Sequence, residues 1–231
     1  MIKAVLFDLD NTLIDFMRMK KECCDAAISA MISAGLNIEK KKGLKTLFDL
    51  YDKYGIEYSQ IFQEFLKKVN RKIDYKILAN GIYAYRKVQV GLIEPYPGVV
   101  PTLIKLREKG LKLAIVTDAP TLKAWLRLVE MRLDSFFDVV VCFEDTGKHK
   151  PHKKPFALAI KKLKVKPTEA VFIGDWPERD IVGARSLGIK TVFAKYGYSM
   201  NKNPSATADF IIERFEDILK ILKEIEERSI K

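Results

Sequence analysis

Ile2-Lys3-Ala4-Val5-Leu6-Phe7-Asp8-Leu9-Asp10-Asn11-Thr12 passes within a few residues from an apolar run to a pair of acids. Ile2 to Phe7 is short and β-leaning, the length of one strand buried on both faces. The same pattern recurs at Lys112–Thr117, Val139–Phe143, Ala170–Ile173 and Thr191–Ala194, with Asp209–Ile212 as an edge strand. Helical patterns lie between the later runs. Thr121 is placed to cap a helix that carries Leu122, Trp125, Leu126 and Val129 on one face. Pro155 suits the first turn of a helix reaching Leu163, because its missing N–H costs nothing there. A further helix spans 179–187 and is closed by Gly188, and a charged amphipathic helix runs on from Glu213. Strands alternating with helices predict an α/β fold, a doubly wound Rossmann-like parallel sheet.

One region breaks the alternation. From Phe16 to Glu94 the pattern is helical throughout, with Ala26, Ile28, Ala30 and Met31 on one stripe and Phe62, Phe65, Leu66 and Val69 on another. These stripes read as core. Pro95-Tyr96-Pro97-Gly98 then turns the chain back into the α/β pattern. The expected organisation is a core of residues 1–15 and 95–231 with a helical cap, residues 16–94, inserted after the first strand.

Composition sets bounds on function. At 231 residues, 48% hydrophobic and 31% charged, the sequence has the profile of a soluble globular protein. No apolar stretch approaches the roughly 20 residues that span a bilayer, and the first apolar run meets Asp8 too soon for a secretory signal. A cytoplasmic location with no membrane partner is expected. Cys23, Cys24 and Cys142 make an odd count without a CxxC pair, which points to reduced structural thiols. His149 and His152 fall in a lysine-rich loop and read as solvated. The net charge of +11 is spread over Lys40–Lys42, Lys67–Lys72, Lys148–Lys154, Lys161–Lys166 and the C-terminal segment, without aromatic interleaving or a nucleic-acid motif. It reads as a solvated exterior rather than a nucleic-acid surface. Oligomeric state is not legible.

Open parallel sheets bind ligands at the C-terminal ends of their strands. There the sequence places Asp8, Asp10 and Thr12 after the first strand, and Thr117-Asp118 after the second. A basic loop bearing Lys150 follows the third, and Gly174-Asp175 with Asp180 follows the fourth. Each alone has a structural explanation: an Asp can end a strand, Asp180 can begin a helix, and Lys150 can be one more solvated lysine. Their joint arrangement, each at a strand end, converges acids, a hydroxyl and a lysine on one crevice.

The sequence here resembles the haloacid dehalogenase-like hydrolase superfamily. That family's DxDxT pattern corresponds to Asp8-Leu9-Asp10-Asn11-Thr12, its strand-ending Thr or Ser to Thr117, and its Lys-Pro to Lys150-Pro151 with Phe156 downstream. Its last motif corresponds to Gly174-Asp175 with Asp180, followed by Gly183-Ala184-Arg185 and Gly188. The insert is similar to the cap of the phosphoglycolate phosphatase-like subgroup. The resemblance implies a Mg²⁺-dependent phosphatase of a small phosphorylated metabolite, such as a sugar, triose or two-carbon acid phosphate. Asp8 would be the nucleophile forming an aspartyl-phosphate and Asp10 the acid and base. Thr117, the backbone at Asp118 and Lys150 would bind phosphate, while Asp8, Asp10 through its carbonyl, and Asp175 would bind metal. Asp180, Thr12 and Gly174 would support them. A cap would exclude water and large substrates. Asp118 stands where the family more often has Asn, and Lys153 and Lys154 share the loop with Lys150, which the spacing to Phe156 favours. The alternatives are a phosphomutase on the same fold and a non-catalytic regulatory protein that binds nucleic acid.

Overall fold

The computed structural model describes residues 1–199 and 203–228. The chain forms two compact units, one of Met1–Asp15 with Glu94–Lys231 and one of Phe16–Ile93.

The first unit is built on six parallel strands: β1 (Ala4–Phe7), β2 (Lys112–Val116), β3 (Val139–Val141), β4 (Ala170–Gly174), β5 (Lys190–Ala194) and β6 (Phe210–Ile212). They lie in the order β3-β2-β1-β4-β5-β6. The chain builds outward from β1 on one side and then returns to build outward on the other. β1 is therefore a central strand at the topological switch, with Ala4 opposite both Lys112 and Ala170. Alternating side chains divide the core into two layers. On one side Leu6, Val116 and Phe172 pack with Phe156, Ala159 and Ala184. On the other Phe7 stacks on Phe215 at 5.6 Å and meets Phe137 edge-on at 6.2 Å.

Helices α5 (Val99–Glu108), α6 (Thr121–Glu130), α7 (Phe143–Thr146), α8 (Lys153–Leu163), α9 (Asp180–Arg185) and α10 (Ile218–Arg228) occupy the connections. The doubly wound parallel sheet is as expected, and several local readings need correction. β3 ends at Val141, and Phe143 opens α7 instead of extending the strand. Thr121 does not cap α6: the cap position is Pro120, and Thr121 donates its N–H and hydroxyl to Glu144, both at 2.8 Å. Leu122, Trp125, Leu126 and Val129 are exposed, and α6 buries Ala124, Arg127 and Leu128 instead. The charged C-terminal helix begins at Ile218, after a 3₁₀ turn at Phe215–Asp217, and its expected extension past Arg228 lies outside the described residues. No helix among the described residues is long and apolar enough to cross a membrane.

The second unit contains α1 (Phe16–Ser33), α2 (Lys40–Tyr54), α3 (Ile61–Asn70) and α4 (Tyr75–Val90). Ile28, Met31, Phe62, Phe65 and Leu66 form its core as expected, whereas Ala26 and Ala30 are only half-buried. Gly81 of α4 lets α1 approach, since a Cβ there would lie within 2.8 Å of Met31 Cγ. Lys20 is buried within this unit, its ammonium 4.5 Å from the Tyr51 ring centroid, 5.4 Å from Tyr85 and 5.9 Å from Phe16. Cation–π attraction on several faces compensates part of its desolvation.

Candidate active site

The C-terminal ends of β1, β2 and β4, with the loop after β3, bring the predicted residues together. Register aligns Phe7 with Ile115 and Ile173, so Asp8, Thr117 and the Gly174-Asp175 pair leave neighbouring strands at similar height. The Asp8 N–H donates to the Ile173 carbonyl at 2.9 Å, and the Thr117 N–H to the Val141 carbonyl at 2.9 Å. Asp8, Thr117, Lys150, Asp175 and Asp180 are all buried.

Lys150 is the pivot. Its ammonium lies 2.7 Å from an Asp8 oxygen and 2.6 Å from Asp180 Oδ1. The other Asp180 oxygen accepts the Trp176 N–H at 3.0 Å. Gly174 makes room for this carboxylate, since a Cβ there would stand 2.5 Å from Asp180 Cγ. Asp180 is the first residue of α9, with Arg179 at the cap position. Gly183 serves the lysine loop similarly, because a Cβ there would be 3.0 Å from the Pro151 carbonyl oxygen.

One ligand oxygen each from Asp8, Asp175 and Asp180 can be chosen so that all lie within 4.8 Å of one another. Those carboxyl groups share one ammonium. Burial, then repulsion from Asp8 and Asp180, pushes the Asp175 carboxyl well above its usual range. Burial also raises Asp180 to about 6, against the opposing pull of Lys150. Burial alone would lower the Lys150 pKa, but Asp180, Asp8 and Asp118 more than reverse this and hold it cationic. Hard oxygen donors with excess negative charge in a buried crevice fit a divalent cation such as Mg²⁺.

Asp10 sits beside this cluster with its Oδ2 2.9 Å from Arg127 Nη1. Arg127 is buried, and arginine is rarely so without a partner. This pair accompanies a rotation of α6 that turns its apolar stripe outward and a charged side chain inward. Thr117 Oγ1 accepts the Ala119 N–H at 3.1 Å, closing the turn after β2. Both Asp118 oxygens are engaged, one by the Lys150 N–H at 2.9 Å and the other by Arg179. Thr12 contributes through its main chain: its carbonyl accepts the Tyr196 hydroxyl at 2.7 Å. Burial, first of all, pushes that tyrosine's pKa well above the usual value, so it stays a donor. The neighbouring Gly197 is a close approach, because a Cβ there would lie 2.8 Å from the Asn11 carbonyl carbon and 3.0 Å from Asp175 Cβ.

Both histidines are exposed, as expected, and each also makes a local contact. His152 Nδ1 accepts the Lys154 N–H at 3.1 Å and caps α8. His149 stacks on Phe143 with centroids 4.3 Å apart. Arg127, Trp176, Arg179, Tyr196 and Gly197 were not among the expected site residues. A signal existed for Arg179, since an acid at position 118 beside an anion site calls for a nearby cation. No local pattern marks Arg127, which hydrophobic periodicity assigns to the polar face of α6.

Residues 5–194 match the family described as haloacid dehalogenase-like hydrolases. The glyceraldehyde 3-phosphate phosphatase of Methanocaldococcus jannaschii is 35% identical over 225 residues, covering 97% of this chain and 99% of that protein. The protein of the same name from Methanopyrus kandleri is 36% identical over 230 residues, with 97% and 99% covered. Among solved structures, a HAD phosphatase from Thermococcus onnurineus superposes with a TM-score of 0.70 at 29% identity, covering 96% of this chain and 98% of that one.

Proposed function

The chain belongs to the haloacid dehalogenase-like hydrolases, and we propose that it is a phosphatase of small phosphorylated metabolites that works through an aspartyl-phosphate on Asp8. The observation that carries this reading is the Asp8–Lys150–Asp180 ion-pair chain at the switch point of the sheet, with Asp10 and Asp175 beside it.

Phosphate monoesters resist hydrolysis because an anionic nucleophile must approach a dianionic ester, so the site has to offset that repulsion. A carboxylate is ionised at neutral pH and needs no base to become a nucleophile. Asp8 attacks phosphorus while Lys150, 2.7 Å from its oxygen, orients the carboxylate and offsets its charge. The Thr117 hydroxyl and the N–H groups of the turn after β2 hold the phosphoryl oxygens. Asp10 enters the first step protonated and gives that proton to the leaving alkoxide. The resulting carboxylate, paired with Arg127, then takes a proton from the water that hydrolyses the aspartyl-phosphate, which restores the acid. Asp8, Asp175 and the Asp10 carbonyl would hold Mg²⁺, which supplies Lewis-acid neutralisation of the phosphoryl charge when bound. Asp180, with one oxygen on Lys150 and the other on the Trp176 N–H, supports these groups from behind. The helical unit 16–93 serves as the cap that selects the substrate and excludes water.

The named activity of the two archaeal relatives makes glyceraldehyde 3-phosphate the first substrate to try. Phosphate release is measured across a panel of triose, hexose and two-carbon acid phosphates, with Mg²⁺ and with chelator, for wild type and Asp8→Asn. The reading expects Mg²⁺-dependent release that the variant loses, with the triose phosphate among the best substrates. Isomerisation of a sugar phosphate with little free phosphate would show a mutase instead.

A further inference from the structure

We infer that Asp118 and Arg179 form a clamp that fixes the Lys150 backbone and set the reaction rate through that lysine. The inference rests on the assignment of Lys150 to the proposed phosphatase chemistry.

Three loops meet in this clamp. From the turn after β2, Asp118 Oδ1 accepts the Lys150 N–H at 2.9 Å. From the loop after β4, Arg179 Nε donates to the Lys150 carbonyl at 3.2 Å. Asp118 and Arg179 then pair with each other through Asp118 Oδ2 and Arg179 Nη2. Arg179 is held in turn by Trp176, whose ring centroid lies 4.7 Å from the guanidinium carbon. Both polar groups of one residue's main chain are thus gripped by two side chains that also grip each other. A lysine needs such an arrangement more than most residues, because its ammonium rides on a flexible stem with several rotatable bonds. Delivering that charge to 2.7 Å from Asp8 and 2.6 Å from Asp180 requires a fixed origin.

The clamp also accounts for the acid at position 118. A carboxylate beside an oxyanion site would repel the substrate, and Arg179 cancels its charge. The side chains are partly solvated, 18% exposed for Asp118 and 29% for Arg179, so the ion pair itself contributes little free energy. Its effect is geometric. Asp118 and Arg179 are therefore positioning residues, which act on the chemistry only through Lys150.

The test compares kcat and KM with Mg²⁺ for wild type, Arg179→Met, Arg179→Lys, Asp118→Asn and the double variant Asp118→Asn/Arg179→Met. Each melting temperature is followed alongside. Arg179→Met is expected to lose roughly tenfold in kcat with KM within about twofold. Asp118→Asn loses less, about threefold, because its amide oxygen still accepts the Lys150 N–H. The double variant is expected to lose no more than Arg179→Met alone, since both act on one target. Arg179→Lys falls between wild type and Arg179→Met, and it serves as the test if the methionine variant does not fold. Single losses that multiply in the double variant would overturn the clamp. So would unchanged kcat with raised KM, which would make Arg179 an anion ligand, or kcat unchanged in both single variants. A wild type that releases no phosphate, or that keeps its activity in Asp8→Asn, would defeat the phosphatase reading instead.

Discussion

At the scale of single residues, the site is a problem of placing charge where water is scarce. Arg127 and Asp10 show the cost. Replacing Arg127 by Met leaves the Asp10 carboxylate without its guanidinium at 2.9 Å. Breaking a fully buried pair costs about 3–5 kcal/mol, but the Asp10 side chain is 23% exposed, so roughly 2 kcal/mol is expected in denaturant titration, together with a lower kcat. An Arg127→Met protein as stable and as active as wild type would contradict this role. The cysteines are the inert counterpart. Burial pushes Cys23 up to about 12 and Cys24 and Cys142 up to about 11. At pH 8 roughly a thousandth or less of each is thiolate, so a thiol reagent is expected to label the native protein slowly and the denatured protein at once. Rapid labelling of the native protein would refute it. The acids of the site were legible in sequence because they follow strand ends, which periodicity locates, whereas Lys150, well past the end of β3 at Val141, was singled out by its spacing to Phe156 in the family resemblance. Arg127 carries no local pattern, since what makes it functional is Asp10 at a separation of 117, and Arg179 was signalled only by the acid at position 118, its partner at a separation of 61.

Elements matter here through the few places where two backbones nearly touch. The Lys195–Gly197 turn follows β5 and packs on the loop that carries Asp8 to Thr12. Because a Cβ at position 197 would meet main-chain atoms of Asn11 rather than a yielding side-chain tip, Gly197→Ala must displace that loop. Since shifts of about 1 Å can cost a hundredfold in rate, a loss on that order is expected with the circular dichroism of the fold retained. Full activity in the alanine variant would show that the turn is not a fixed wall. The strands follow from apolar runs bounded by turns. The orientation of α6 does not, since its hydrophobic stripe of Leu122, Trp125, Leu126 and Val129 faces outward and Arg127 faces in. Pattern reading assumes that burying apolar area decides a helix's rotation. Here the part-buried Arg127–Asp10 ion pair accompanies the opposite rotation.

For the whole molecule, the decisive balance is the excess of carboxylate at the crevice. Asp175 and Asp180 have pKa values raised above those of the unfolded chain, so the metal-free folded state holds protons that the unfolded state has released. Stability of the metal-free protein is therefore expected to rise as pH falls from 7 toward 5. Added Mg²⁺ should raise the melting temperature at pH 7.5 by mass action and reverse that pH trend, because ligand carboxylates must be ionised. A Mg²⁺-insensitive melting temperature in wild type, or one still sensitive in Asp175→Asn, would contradict the metal assignment. Away from the crevice, many of the chain's lysines and arginines form exposed pairs such as Lys3–Glu169, Lys40–Asp25 and Lys195–Glu213. The central claim is covalent, that Asp8 carries the phosphoryl group during turnover. Rapid acid quench of enzyme turning over with substrate and Mg²⁺, followed by peptide mass analysis, tests it directly. The expected result is phosphate on the peptide containing Asp8, and none in Asp8→Asn. Turnover without a phosphorylated enzyme, with Asp8→Asn still hydrolysing substrate, would contradict it.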